Sequence, residues 1–221
     1  MDKAQIKSKK RVQEHGEVFT AEREVKAMCD LVKDETERID SRVLEPACGD
    51  GNFLAEILTR KLNTVTKCYG KSASDWEKYS IIALSSLYGI DIMPDNAQEC
   101  RDRLFGIWKE SHKVNVKEGG MAEIEDTAKY ILNNNILCGD ALTLLQKNGS
   151  PIIFPEWNMV NGFYIKRRDY ELATMLQMQE NKDQGDLFLS SEDFDTDLGA
   201  YIPKPVREYK PIEYWRLQCL T

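Results

Sequence analysis

Apolar residues recur along this chain in two rhythms, and the switches between them outline the elements. Val25, Met28, Leu31 and Val32 follow helical spacing. Thr20 stands where an N-cap belongs, with Glu24 one place late for a capping box. Arg42-Val43-Leu44-Glu45-Pro46 predicts a short strand ending in a turn. Gly49-Asp50-Gly51 interrupts the chain, and Phe53, Leu54, Ile57 and Leu58 restart a helix. Residues 62–80 read as an insertion, and Ser80 to Leu87 as a helix. Leu87-Tyr88-Gly89-Ile90-Asp91-Ile92 predicts a second, buried strand. Pro94 opens a helix at a first-turn position, with Ala97, Cys100 and Leu104 on one face. Ile136 to Cys138 predicts a third strand, ended by Gly139-Asp140. Strands alternating with helices imply a parallel sheet and an α/β fold.

The last third changes character. Ile152-Ile153-Phe154 and Tyr164-Ile165-Lys166 flank Asn161-Gly162, a strong hairpin signal. Tyr170 to Met178 predicts a short helix. Residues 180–197 hold seven acids and one lysine and read as a solvated connector. Pro203, Pro205 and Pro211 predict an extended tail. Three segments result: residues 1–150 as the main domain, 151–179 as a hairpin–helix appendage, and 180–221 as linker and tail. Asp193-x-Asp195-x-Asp197 begins like a calcium loop. It has Leu198 where glycine is required and Lys204 where glutamate is required, so that reading fails.

Composition narrows the classes. The chain has 221 residues, 42% of them hydrophobic and 30% charged, enough apolar content for a packed core. Thirty Lys and Arg against 37 Asp and Glu give a net charge of −7, which disfavours a nonspecific nucleic-acid clamp. No apolar run reaches the roughly 18 residues of a membrane span. Met1 to Arg11 lacks the apolar stretch of a secretory signal. The six cysteines form no C-x-x-C pair, so neither a zinc site nor a disulfide framework is expected. His15 and His112 are the only histidines and are expected to be structural. A reduced, cytoplasmic protein without metal or membrane is the reading.

Candidate chemistry concentrates in Leu44-Glu45-Pro46-Ala47-Cys48-Gly49-Asp50-Gly51-Asn52-Phe53-Leu54, between a strand and a helix. That is where a parallel α/β sheet binds its cofactor. A dinucleotide fingerprint would continue to a third Gly or Ala, but Leu54 stands there. No Gly-Lys-Ser/Thr follows for a phosphate loop. Glu45 and Asp50 would repel a pyrophosphate and suit a ligand bearing an ammonium and a sulfonium, which points to S-adenosylmethionine. Asp91, at the end of the second strand, is placed to accept hydrogen bonds from ribose hydroxyls. Asp140, at the end of the third, is placed for the adenine amino group, with Ile92 and Leu142 flanking the ring. Alone, each acid also reads as a turn or N-cap carboxylate, and each glycine as a tight turn.

Residues 16–145 resemble the cofactor-binding half of the amino-methylating DNA methyltransferases, particularly the adenine-N6 enzymes of restriction–modification systems. Gly16-Glu-Val-Phe-Thr20 resembles motif X, whose Phe packs by the methionine part of the cofactor. Glu45-Pro-Ala-Cys-Gly-Asp-Gly51 resembles motif I, Gly89-Ile-Asp91-Ile92 motif II, and Cys138-Gly-Asp140-Ala-Leu142 motif III. The resemblance implies a Rossmann-like methyltransferase sheet, here with an added β-hairpin and an extended C-terminal tail. It also implies S-adenosylmethionine as cofactor. The implied cofactor-binding residues are Phe19, Thr20, Glu45, Pro46, Ala47, Cys48, Gly49, Asp50, Gly51, Phe53, Asp91, Ile92, Asp140, Ala141 and Leu142.

The family's catalytic Asn/Asp-Pro-Pro-Tyr/Phe tetrapeptide, which holds the flipped base, is absent. No catalytic residue is therefore assigned. Phe154-Pro155-Glu156-Trp157 and Asn161-Gly162-Phe163-Tyr164 are the nearest strings, and neither has the double proline. DNA would be reached through a partner subunit supplying that motif and a recognition domain. Lys166-Arg167-Arg168 is a candidate phosphate surface, or else the charged guard of an edge strand. Trp157, Phe163 and Tyr164 are placed to stack bases or to pack the hairpin. Three functions stand: one part of a split DNA adenine methyltransferase, a non-catalytic cofactor-binding module of the same type, or an interaction protein with a vestigial pocket whose acidic, proline-bearing tail contacts another subunit.

Overall fold

A computed structural model describes residues 7–15, 17–117, 120, 122–176, 194–195, 200–201 and 204–220. Three short helices, α1 (Lys9–His15), α2 (Glu22–Leu31) and α3 (Lys33–Glu37), precede strand β1 (Val43–Glu45). Helices α4 (Asn52–Tyr69) and α5 (Ala73–Ser85) lead to β2 (Leu87–Asp91). Helices α6 (Pro94–Asn115) and α7 (Ile124–Asn135) lead to β3 (Ile136–Asp140), and β4 (Leu145–Gln146) turns back. The sheet order is β1-β2-β3-β4, with the first three strands parallel and β4 antiparallel to β3. The fold is thus mixed α/β around a parallel sheet.

Alternation along the strands decides what covers each face. Leu87 and Ile136 point into a cluster with α4, α5, α6 and α7. Tyr88 and Ile90 point the other way, onto Ile152, Phe154 and Leu172. Helices therefore cover one face and the hairpin covers the other. The register pairs Glu45 with Gly89 and Asp91 with Cys138. The carboxyl edge is a staircase: each strand ends two residues beyond its neighbour, a step of about 6–7 Å.

The hairpin is longer than its sequence signal. β5 (Ile153–Asn161) and β6 (Tyr164–Glu171) are antiparallel, with a register shift between Met159 and Asn161. Asn161 pairs with Tyr164, so the two-residue loop is Gly162-Phe163 and not Asn161-Gly162. Gly162 has φ +53°, which meets the demand of a type II′ turn for a left-handed first residue. The helix expected over Tyr170 to Met178 occupies 172–176, because Tyr170 remains in β6. Residues 177 and 178 lie outside the described residues.

The tail is not simply extended. Within the acidic stretch, β7 (Phe194–Asp195) pairs with β8 (Ala200–Tyr201). The other residues of 180–197, the rejected calcium loop included, lie outside the described residues, as does Pro203. β9 (Arg207–Glu208) and β10 (Ile212–Glu213) both pair with β6. The 3-10 helix Tyr214–Cys219 follows, and Tyr214 and Leu217 are fully buried in the main cluster with Trp157 and Ile165. Burial of two large apolar side chains, worth about 1.5–3 kcal/mol each, outweighs the extended preference of Pro205 and Pro211. The hairpin and tail share this cluster with the helices.

One further expectation is corrected, and a second is given its structure. Thr20 does not cap α2: Ala21 is the N-cap, with no side-chain bond, and the Thr20 carbonyl instead accepts from Asn52 Nδ2 at 3.2 Å. The insertion over 62–80 is the end of α4 plus most of α5, whose first turn is capped by Ser72. Lys61 of α4 is fully buried beneath the start of the sheet. Its Nζ donates to the carbonyls of Ile39 and Ser41 and to Ser86 Oγ. Burial pulls its pKa down to about 7.

That depression fixes a sign. Unfolded, Lys61 stays protonated up to its ordinary pKa of 10.5, so between about 7 and 10.5 the unfolded chain binds the extra proton. Folding is then stabilised as pH rises through this window. The stability of the wild type relative to Lys61→Met, measured by urea denaturation, is expected to increase from pH 7 to 10 by up to about 1.4 kcal/mol per unit. A pH-independent difference would contradict it.

Candidate cofactor cleft

The carboxyl ends of β1, β2 and β3 carry Glu45, Asp91 and Asp140. Parallel strands bring the three to one edge, stepped as described. The glycine turn after β1 is tied to β2 by Asp91, whose Oδ2 accepts from the Gly49 N–H at 2.9 Å. Its Oδ1 accepts from the Met93 N–H at 2.8 Å and from Asn96 Nδ2 at 3.2 Å. Asp140 Oδ1 accepts from the Leu142 N–H at 2.8 Å and closes the turn after β3. Burial raises the Glu45 pKa, opposed by the Ala47 N–H. None of Glu45, Asp91 and Asp140 forms an ion pair among the described residues.

Backbone geometry explains the glycines. Gly51 has φ +87°, and a Cβ there would lie 2.7 Å from Cys100 Sγ of α6. Gly49 has φ +53°, and a Cβ would lie 3.0 Å from the Phe19 ring. Phe19 is therefore laid against the turn. Cys48 and Cys100 are buried beneath it, and the Cys100 thiol, then burial, push the Cys48 pKa up.

Some expected residues are turned elsewhere. Asp50 is only 2% exposed and forms a salt bridge with Arg103 of α6 at 3.3 Å, so its carboxylate does not reach the cleft. Arg103 also donates to Asn52 Oδ1 at 2.5 Å. Phe53 packs into the helix-side core and Ala141 against the hairpin-side cluster. Cys48 and Gly51 face Cys100, and Thr20 contributes its carbonyl to Asn52. Pro46 and Ala47 are exposed. At the rim, Ile92 is 53% and Leu142 94% exposed, unusual for residues of this size beside buried strands.

Sequence reasoning missed a polar chain behind Asp91. Buried Asn96, in the first turn of α6, donates from Nδ2 to Glu17 Oε1 at 2.6 Å as well as to Asp91. Its Oδ1 accepts from Lys7 Nζ at 2.7 Å. Lys7 also pairs with Asp95 and Glu99, and Arg11 with Glu17 and Asp95. The Arg11 guanidinium holds the Asp95 carboxyl well below the usual range. The segment leading into α1 is thereby latched to the start of α6 and, through Asn96, to Asp91. No local pattern announces this, since 84 residues separate Arg11 from Asp95.

The three cations of the basic tripeptide are engaged within the chain. Arg167 is buried, forms an ion pair with Asp169 at 2.6 Å, and lies over the rings of Tyr130, Trp157 and Tyr209. Lys166 and Arg168 both pair with Glu208. The edge-strand alternative is corrected, because β6 is flanked by β5 on one side and by β9 and β10 on the other. Trp157 is buried and donates to Asn135 Oδ1, whereas Phe163 and Tyr164 remain half-exposed at the hairpin tip. His112, expected to be structural, bonds buried Glu77 at 2.7 Å.

No group of His, Cys, Asp or Glu among the described residues could hold a metal ion, and no described helix is long and apolar enough to cross a membrane. The cysteines of the described residues are free. No family model matches the chain, and neither the curated proteins nor the solved structures searched give a match.

Gly51→Ala is expected to destabilise the protein by more than about 2 kcal/mol in chemical denaturation, from the left-handed strain and the clash with Cys100. A loss below about 0.5 kcal/mol would refute the turn geometry. The double variant Lys7→Ala/Arg11→Ala is expected to lose about 1 kcal/mol of amide-exchange protection over residues 8–20. Moderate salt should reproduce the loss in the wild type. Unchanged exchange would show that the latch carries no free energy.

Proposed function

We propose that this protein binds S-adenosylmethionine at the carboxyl ends of β1, β2 and β3, as the cofactor-binding part of a split DNA adenine-N6 methyltransferase. One observation carries the reading: strand-end acids without cationic partners border a glycine turn, and two exposed apolar side chains stand at their rim. Uncompensated carboxylates favour a cationic ligand, and exposed Ile92 and Leu142 favour one with a flat apolar ring. Asp91 keeps acceptor capacity beyond its three protein donors, since a carboxylate offers about four lone-pair sites. That capacity suits ribose hydroxyls. Asp140 suits the adenine amino group, and Phe19 the methionine chain.

The chemistry asks little acid–base work of these residues. The bound cofactor supplies a methyl group on an already activated sulfonium, so the chain's task is to orient it and exclude water. The acceptor's pocket is the missing part. β1 is the outermost strand of its sheet, its second edge has no strand among the described residues, and Leu44 beside that edge is 40% exposed. An added strand from a partner subunit would continue the sheet there and bring the base-holding tetrapeptide beside the cleft. DNA would be held by that partner, because Lys166, Arg167 and Arg168 are neutralised within this chain. The same neutralisation favours, as a second reading, a non-catalytic module that binds the cofactor and never transfers its methyl group.

Calorimetry with S-adenosylmethionine, with ATP as the polyanionic control, tests binding. S-adenosylmethionine is expected to bind and ATP to be rejected by at least about tenfold, or 1.4 kcal/mol. Leu142→Glu is expected to weaken S-adenosylmethionine by a similar factor at unchanged melting temperature, because the side chain has almost no packing to lose. Absence of binding, or equal affinity for the two ligands, would defeat the proposal. Tritiated methyl incorporation into DNA with and without the neighbouring gene product separates the two readings.

A further inference from the structure

A concavity lies at the end of the sheet where β1 and β2 begin, opposite the strand-end acids. It is a cavity of about 620 Å³ between the β5–β6 hairpin and the paired helices α4 and α5. That volume lies in the range of small-molecule sites. Its apolar walls include Tyr79 and Ile82 of α5 and Trp157 and Met159 of β5, with Arg38 and Arg42 at its border.

Both signs of charge stand at the border, where Asp40 lies beside Arg38 and Arg42. Arg38 meets Glu35 at 3.2 Å and Asp40 at 3.4 Å, and Arg42 meets Glu156 at 2.8 Å. Each guanidinium has five N–H donors, so these contacts leave donors over. Buried Lys61 lies directly behind the wall: its three acceptors are the carbonyls of Ile39 and Ser41 and Ser86 Oγ, and Ile39 and Ser86 line the cavity. All three acceptors are uncharged, and no carboxylate pairs with Lys61 among the described residues. One acceptor per ammonium proton fits the charged form, yet its charge has no counterion in contact. The charged groups around it are Asp40, Arg38 and Glu35. An anion in the cavity would supply the missing compensation, and a guanidinium fork matches a carboxylate in geometry.

We propose that this cavity is a binding site, separate from the cofactor cleft, for a small aromatic carboxylate, whose ring lies among Tyr79, Ile82 and Trp157 and whose anion faces Arg38, Arg42 and the wall that hides Lys61. Binding draws a proton onto Lys61, because burial alone leaves the amine only partly protonated near neutrality.

The test is calorimetric titration of the full chain with 2-naphthoate, with 2-naphthamide as its uncharged counterpart, at pH 7.5 in two buffers of different ionisation enthalpy. The expected result is at least tenfold tighter binding of naphthoate, with net proton uptake and with no competition from S-adenosylmethionine. Arg42→Gln, at an exposed position, is expected to weaken naphthoate at least fivefold and the amide little. Ile82→Trp, which fills the cavity, is expected to abolish both. Lys61→Met is expected to remove the proton uptake; where that variant does not fold, Arg42→Gln and the buffer comparison decide alone. No naphthoate binding, equal affinity for acid and amide, indifference to Arg42→Gln and Ile82→Trp, or competition with S-adenosylmethionine would each overturn the proposal.

Discussion

Asp91 sits where the glycine turn, the end of β2 and the first turn of α6 meet, and its two oxygens bind all three. A buried carboxylate without a cation survives only where amide donors replace its hydration, each such bond contributing about 1.5–3 kcal/mol. Here the donors belong to the segments that frame the cleft. The turn at Gly49 therefore takes its position from β2, and the cleft is set by one side chain as much as by the sheet. Asn96 extends this arrangement to Glu17 and Lys7, so the segment that brings Phe19 to the turn is tied to the same carboxylate.

The electrostatics of the two ends of the sheet are opposite in sense. At the carboxyl end, Glu45, Asp91 and Asp140 stand without cationic partners among the described residues. At the amino end, Lys61 stands without an anionic one among those residues. Each end carries a charge that the chain leaves unmatched, and each lies beside a concavity or an exposed apolar rim. Elsewhere the chain is careful to neutralise, as Asp50 with Arg103 and Arg167 with Asp169 show.

What could be read from the sequence was what is local. Gly49-Asp50-Gly51, Asp91 and Asp140 announce themselves because a glycine break or an acid at a strand end is a short-range signal, and the helical and strand rhythms around them hold. The fate of Asp50 was not legible, since its partner Arg103 lies 53 residues away on another helix. Nor was the tail: Pro205 and Pro211 favour extension locally, but Tyr214 and Leu217 find the core, and Tyr214 O–H reaches the Ser74 carbonyl 140 residues earlier. The same tail makes β6 an interior strand, so the reading of Lys166 to Arg168 as an edge failed on a property no local window contains. α7 carries no turn or motif signal of its own, and only its packing against α5 and α6 reveals its role.

The most direct measurement is a ¹H–¹⁵N NMR titration of the labelled chain with S-adenosylhomocysteine, which maps the ligand on the backbone. The account predicts shifts concentrated at the amides of Gly49, Met93 and Leu142, which Asp91 and Asp140 hold in place, and of Ile92 beside them. Shifts clustered instead around Arg42, Ile82 and Trp157, or a spectrum the ligand leaves unmoved, would contradict it.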